Sequence, residues 1–152
     1  MSTLKVDTYL TRGGASEIAI DKLKGVTAAG SMLVVGEGGT NTTNLQQGLC
    51  KFFSNIVGTD TISTRDSFNQ SGITDNGTGD YDLAFTNNMG SDDYCFMTIS
   101  DSASIHVAFP YSEAEQNAGG CRVYVSEMGQ GGNGYAGTDS AMIMSTIDGD
   151  LA

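Results

Sequence analysis

Arg65-Asp66-Ser67-Phe68-Asn69-Gln70-Ser71-Gly72-Ile73-Thr74-Asp75-Asn76-Gly77-Thr78-Gly79-Asp80-Tyr81-Asp82-Leu83-Ala84-Phe85 decides the fold. It reads as strand, tight turn, strand. Asn76-Gly77, inside the run Asp75 to Asp80, is the strongest hairpin signal in the chain, because a two-residue hairpin turn needs backbone angles that Asn and Gly adopt at little cost. After the turn, Tyr81, Leu83 and Phe85 alternate with Asp82, Ala84 and Thr86, the period of a half-buried strand. Before it, Thr61 to Phe68 forms a strand that bends ahead of Ile73.

The same pattern continues outward. Phe53 to Val57, Tyr94 to Ser100, Ser104 to Phe109, Cys121 to Glu127 and Ala141 to Ile147 complete about seven or eight short strands at sandwich spacing. Loops are expected at 86–93, 110–120 and 129–140. Composition agrees: 21 Gly, 1 Pro and only 16% charged residues over 152 positions suit strands and turns better than helices. A chain of this length buries about 70% of its unfolded surface, enough for a real core. The expectation is an all-β, antiparallel, jelly-roll-like β-sandwich body over residues 49–152.

Residues 1–48 read differently. Leu4, Val6 and Tyr9-Leu10 make one short apolar stretch, broken by Gly13-Gly14. Ile18, Ile20, Leu23 and Val26 make a second, either strand or one helical turn. Met32-Leu33-Val34-Val35 is flanked by Gly30, Gly36, Gly38 and Gly39. A run this thin in large side chains closes no core alone. It is expected to be an extended N-terminal arm for attachment or subunit interlocking. Thr43 to Gly48 is expected to be one helical turn leading into the body.

Charge divides at the same place. Lys5, Arg12, Lys22, Lys24 and Lys51 face Asp7, Glu17, Asp21 and Glu37 in residues 1–51, a net of +1, whereas residues 52–152 hold only Arg65 and Arg122 against 14 acids, a net of −12. So acidic a body repels phosphate backbones and anionic lipid, so neither nucleic acid nor membrane is an expected partner. Cys50, Cys95 and Cys121 show no metal spacing and read as reduced thiols. No secretion signal and no membrane-spanning run is read in the chain.

Two strands are apolar on both sides. Cys95, Met97 and Ile99 oppose Tyr94 and Phe96; Met142 and Met144 oppose Ile143 and Ile147. One side fills the core and the other needs cover, from the arm or from another copy of the chain. Tyr94, Phe96, Met142 and Met144 are assigned to that subunit interface. Asn87, Asn88, Gln130, Asn133 and Tyr135 are assigned to exposed binding loops.

Signals for catalysis are weak. Gly129-Gln130-Gly131-Gly132-Asn133-Gly134 matches a dinucleotide fingerprint, but Tyr135 to Ser140 reads as loop, so no helix N-terminus meets the phosphates. His106 is expected on the side of its strand opposite Ile105, Val107 and Phe109. No nucleophile elbow accompanies it. Asp75 and Asp80 read as turn chemistry. Asp92, Asp93, Asp101 and Glu113 are the carboxylates a glycan-cleaving site would draw on. No cofactor is expected; calcium stays open for so acidic a body, although no calcium-loop pattern is present.

Several stretches resemble fibre-like virion proteins of marine tailed bacteriophages, the tail-fibre C-terminal domain type. The most specific are Arg65 to Asn69 and Thr74 to Tyr81. The opening Ser2 to Asp7, the lead-in Gly39 to Leu49 and the closing Asp148-Gly149-Asp150-Leu151-Ala152 are similar as well. The resemblance implies a noncatalytic structural protein made in the host bacterial cytoplasm and placed on the virion. It implies a homotrimer that binds a host cell-surface glycan or protein, with the arm contacting other virion proteins. No long shaft accompanies the resemblance, which brings in a second expectation, a capsid decoration (cement) protein clamping neighbouring capsid subunits. A third is a small virion-borne polysaccharide-degrading enzyme.

Overall fold

Alternation along β3, Cys50–Val57, sets the first layer: Phe52, Ser54 and Ile56 turn inward and are buried, while Phe53 and Asn55 turn outward. The computed structural model describes residues 32–36, 39–45, 48–101, 106–128 and 135–151. The remaining strands are β1 (Leu33–Val35), β2 (Thr42–Asn44), β4 (Ser63–Phe68), β5 (Gln70–Gly77), β6 (Asp80–Phe85), β7 (Cys95–Ser100), β8 (His106–Pro110), β9 (Gly120–Met128), β10 (Tyr135–Gly137) and β11 (Ile143–Asp148). One 3-10 turn, Glu113–Glu115, precedes β9.

Two antiparallel sheets face each other. The first runs β4-β3-β11-β7; in the second β5, β6 and β9 lie in order, with β8 on the far edge of β9. Strand β8 lies alongside β7, so the chain passes from one sheet to the other there. Strands β7, β8 and β9 follow one another round the sandwich and β11 returns beside β7, a Greek-key connection. Two facing sheets with such a return make an all-β sandwich, jelly-roll-like at that level. Phe52, Ile56, Ile143 and Ile147 of the first sheet meet Tyr81, Leu83, Phe85, Val123 and Val125 of the second to form the core. The Phe52 and Phe85 rings lie 5.0 Å apart across the layers.

The other corner is a single residue. Asn69 has φ of 63°, in the left-handed region that Asn tolerates better than most residues. It turns β4 of one sheet into β5 of the other. Its side-chain amide donates to the carbonyls of Lys51 (3.0 Å) and Asn87 (2.9 Å), and its Oδ1 accepts from the Asn87 backbone N–H at 2.7 Å. The bend expected ahead of Ile73 is therefore at Asn69.

The hairpin turn sits two residues later than the Asn76-Gly77 reading. Gly77 still pairs with Asp80, and Thr78-Gly79 makes the turn. The Asp75 carboxylate accepts the Gly77 N–H at 2.9 Å, and Asn76 falls in a bulge. Packing explains the shift. β6 and β10 lie end to end beside β9, and Gly79 fills the gap: its carbonyl accepts the Val125 N–H at 2.7 Å. Gly79 has φ of +74°, and a Cβ there would sit 2.7 Å from the Thr138 nitrogen. Only glycine fits.

Two further expectations change. Thr42–Asn44 is strand rather than helix; one turn follows, closed by the Gly48 N–H on the Asn44 carbonyl at 3.0 Å. Part of the expected 129–140 loop is strand β10, because its backbone pairs with β9. Gln130 and Asn133 lie outside the described residues, as does the arm over 1–31.

Asn69→Ala is expected to cost about 2–3 kcal/mol, through lost amide bonds and a strained backbone. Asn69→Gly should cost less, since glycine keeps the backbone angle; denaturant midpoints measure both. Burial pushes the Cys121 thiol up to about 12. Cys121 should therefore stay unreactive to a thiol reagent at pH 8 until the protein is unfolded, whatever Cys50 and Cys95 do.

Candidate functional site

The outer face of the first sheet is set by strand register. Partners across β7, β11, β3 and β4 form one row of Met97, Thr146, Phe53 and Phe68, and a second of Ile99, Met144, Asn55 and Asp66. Most of these side chains are apolar and little covered: Met97 is 53% exposed, Ile99 58% and Phe68 50%. The Phe53 and Phe68 rings stack with centroids 6.2 Å apart. Between the rows runs an open groove of about 500 Å³, and Asp66 is the one charged residue among those lining it. The Asn55 Oδ1 there is buried and has no hydrogen-bond partner among the described residues. Covering each large apolar side chain would be worth about 1.5–3 kcal/mol. This contiguous apolar patch makes the face the candidate contact surface of the chain.

The two sides of β7 are the reverse of the sequence expectation. Tyr94, just ahead of β7, is buried; its hydroxyl donates to the Gly120 carbonyl (2.8 Å) and the Asn117 carbonyl (3.1 Å), and its ring meets Phe85 edge-on. Phe96 packs against the core. Both therefore belong to the interior, and Met97 and Ile99 take the outer side. Aromatic rings bury more area than Met or Ile, and a buried Tyr hydroxyl needs the carbonyls it finds here. Met144 is on the outer face as expected. Met142 is half-buried just before β11, its N–H on Asp101 at 3.0 Å. Phe53 and Phe68 were not foreseen; their opposition follows from the pairing of β3 with β4, which the sequence pattern left without a register.

A Ser-His-Asp grouping does occur, in the wrong order. Ser140 is buried; its hydroxyl donates to the Asp101 carboxylate and lies 3.5 Å from His106 Nδ1. A hydrolase needs the carboxylate on the histidine and the histidine on the serine proton. Here the serine hydroxyl donates its hydrogen bond to the carboxylate directly, and Ser140 itself is buried. The group ties the end of β7 to the segment leading into β11: the Asp101 N–H also donates to the Met142 carbonyl at 2.9 Å. His106 lies opposite Val107 on its strand, on the side of Ala108, which packs against the core.

The other carboxylates are dispersed or already paired. Asp80 holds Arg122 through two bonds of 2.6 Å, while Asp82 and Glu115 lie 3.7 Å from the same guanidinium, which sits 4.1 Å over the Tyr111 ring. Asp92, Asp93 and Glu113 are exposed. Among the described residues no group of three or more His, Cys, Asp or Glu is placed to hold a metal ion. Asn87 anchors the Asn69 corner, Asn88 is exposed beside it, and Tyr135 starts β10. No helix among the described residues is long and apolar enough to cross a membrane. Comparison with family models, with curated proteins and with solved structures finds no match to this chain.

The Ser140 hydroxyl, followed by the Met142 N–H and the charges of His106 and Arg65, holds the Asp101 carboxyl below its ordinary value. A carboxyl lowered on folding stabilises the protein above its unfolded value of about 3.9 and loses that contribution as pH falls through the folded value. Asp101→Asn should thus be less stable than the parent at pH 7. The gap should narrow as pH falls below about 4, read from unfolding midpoints at each pH.

Proposed function

We propose that this chain is a noncatalytic structural protein of a phage virion, of the fibre or fibre-tip type, working as a homotrimer that adheres to a host surface. The observation that carries the reading is the apolar outer face of the β4-β3-β11-β7 sheet: a broad surface built for contact, without the paired, accessible carboxylates that glycan cleavage needs. The resemblance of Arg65 to Asn69 and Thr74 to Tyr81 to phage fibre proteins supports the virion setting. The first of these stretches carries the Asn69 corner and the second the hairpin that Gly79 closes. Adhesion then comes from several weak sites acting together, multiplied by copy number.

Two measurements test this. Light scattering in dilute buffer should give three times the 15.8 kDa chain mass; a stable monomer overturns the homotrimer. Antibody labelling of particles of the encoding phage should mark the fibre or tail tip by electron microscopy. Label spread over the head makes the chain a capsid decoration protein, and absence of label from particles removes the virion role.

A further inference from the structure

Two apolar surfaces in this chain lack partners among the described residues. One is the outer sheet face with its groove between Phe53, Met97, Ile99 and Met144. The other is the ribbon formed by β1 and β2. There Leu33 pairs with Asn44, Val34 with Thr43 and Val35 with Thr42. Leu33 and Val35 share one side of the ribbon and are 56% and 58% exposed. An isolated two-stranded ribbon is marginal in water, and among the described residues this one pairs with no third strand.

We infer that the ribbon of one copy docks on the outer sheet face of the next, with Leu33 and Val35 entering the groove. The inference rests on the self-association proposed above and not on the virion role. Charge favours this pairing. Bodies carrying so many acids repel one another. The ribbon strands carry no charged residue, and the groove carries only Asp66, so this contact brings the least repulsive parts of two copies together. On that same side the ribbon brings Thr42, whose hydroxyl is a hydrogen-bond donor of the kind that Asn55 Oδ1 lacks. Because ribbon and face are different surfaces, each copy gives one and receives one. Such a heterologous contact closes into a ring where the rotation between copies returns to the first, as the homotrimer proposed above requires.

Complementation of two full-length variants tests it. A ribbon variant carries Leu33→Asp and Val35→Asp; a face variant carries Met97→Asp and Ile99→Asp. All four positions are exposed, and circular dichroism with the native masking of Cys121 checks the fold. Each variant alone should be a monomer by light scattering at concentrations where the parent forms a ring. Mixed, they should form one-to-one dimers, since one intact ribbon then meets one intact face. A monomeric parent overturns both the inference and the self-association. A ribbon variant that still assembles, or a mixture of folded variants that stays monomeric, overturns the inference alone. Should the face variant not fold, the ribbon variant decides by its mass: monomer supports the docking, and a ring refutes it.

Discussion

Asn69 is the residue on which the two layers depend. The β3–β4 hairpin belongs to one sheet and the β5–β6 hairpin to the other, and one left-handed residue joins them. Its amide bonds at the same time to the start of β3 and to the loop after β6. Closing this corner brings Phe52 onto Phe85, and from there the core is a matter of alternate residues meeting across the gap.

The opposite end of the sandwich is held by polar groups rather than by a second turn. The Tyr81 hydroxyl, buried, donates to the Gly58 carbonyl and to Asp139, and the Asp139 carboxylate also accepts the Gly79 N–H at 2.8 Å. Burial first, then the Asp139 carboxylate, pushes that hydroxyl above the ordinary phenol range, which keeps it a donor. Ser140 and Asp101 extend the chain of bonds to β7, and Arg65 reaches the Ala141 carbonyl at 2.8 Å. A hydroxyl, a carboxylate and a histidine come together here, with the hydroxyl bonded to the carboxylate and 3.5 Å from the histidine.

One sheet is therefore apolar on both sides, and this connects fold to function. The inner side packs into the core. The outer side adds nothing to a single copy and exposes Met97, Ile99 and Phe68 to water. The second sheet differs: it carries the Arg122 pairs with Asp80 and Asp82 beside the Tyr111 and Tyr124 rings. The two outer faces therefore differ: exposed Met, Ile and Phe side chains on the first sheet, and ion pairs with the Phe109, Tyr111 and Tyr124 rings on the second.

Local pattern in the sequence determined the strands, because side chains alternate with the pleat wherever a strand is half-buried: Tyr81, Leu83 and Phe85 announced β6 without any partner. It also determined that some strands are apolar on both sides, as the run from Tyr94 to Ile99 shows. It did not determine which side of β7 is inner. Period two gives two equivalent faces, and only the meeting of Tyr94 with Phe85 and the carbonyls of Asn117 and Gly120 chooses between them. Tertiary contact likewise moved the turn to Thr78-Gly79, since the requirement for a missing Cβ comes from Thr138, 59 positions away and absent from any local window. Phe53 and Phe68 met for the same reason: register between strands is a property of pairs, and a single strand does not encode its neighbour.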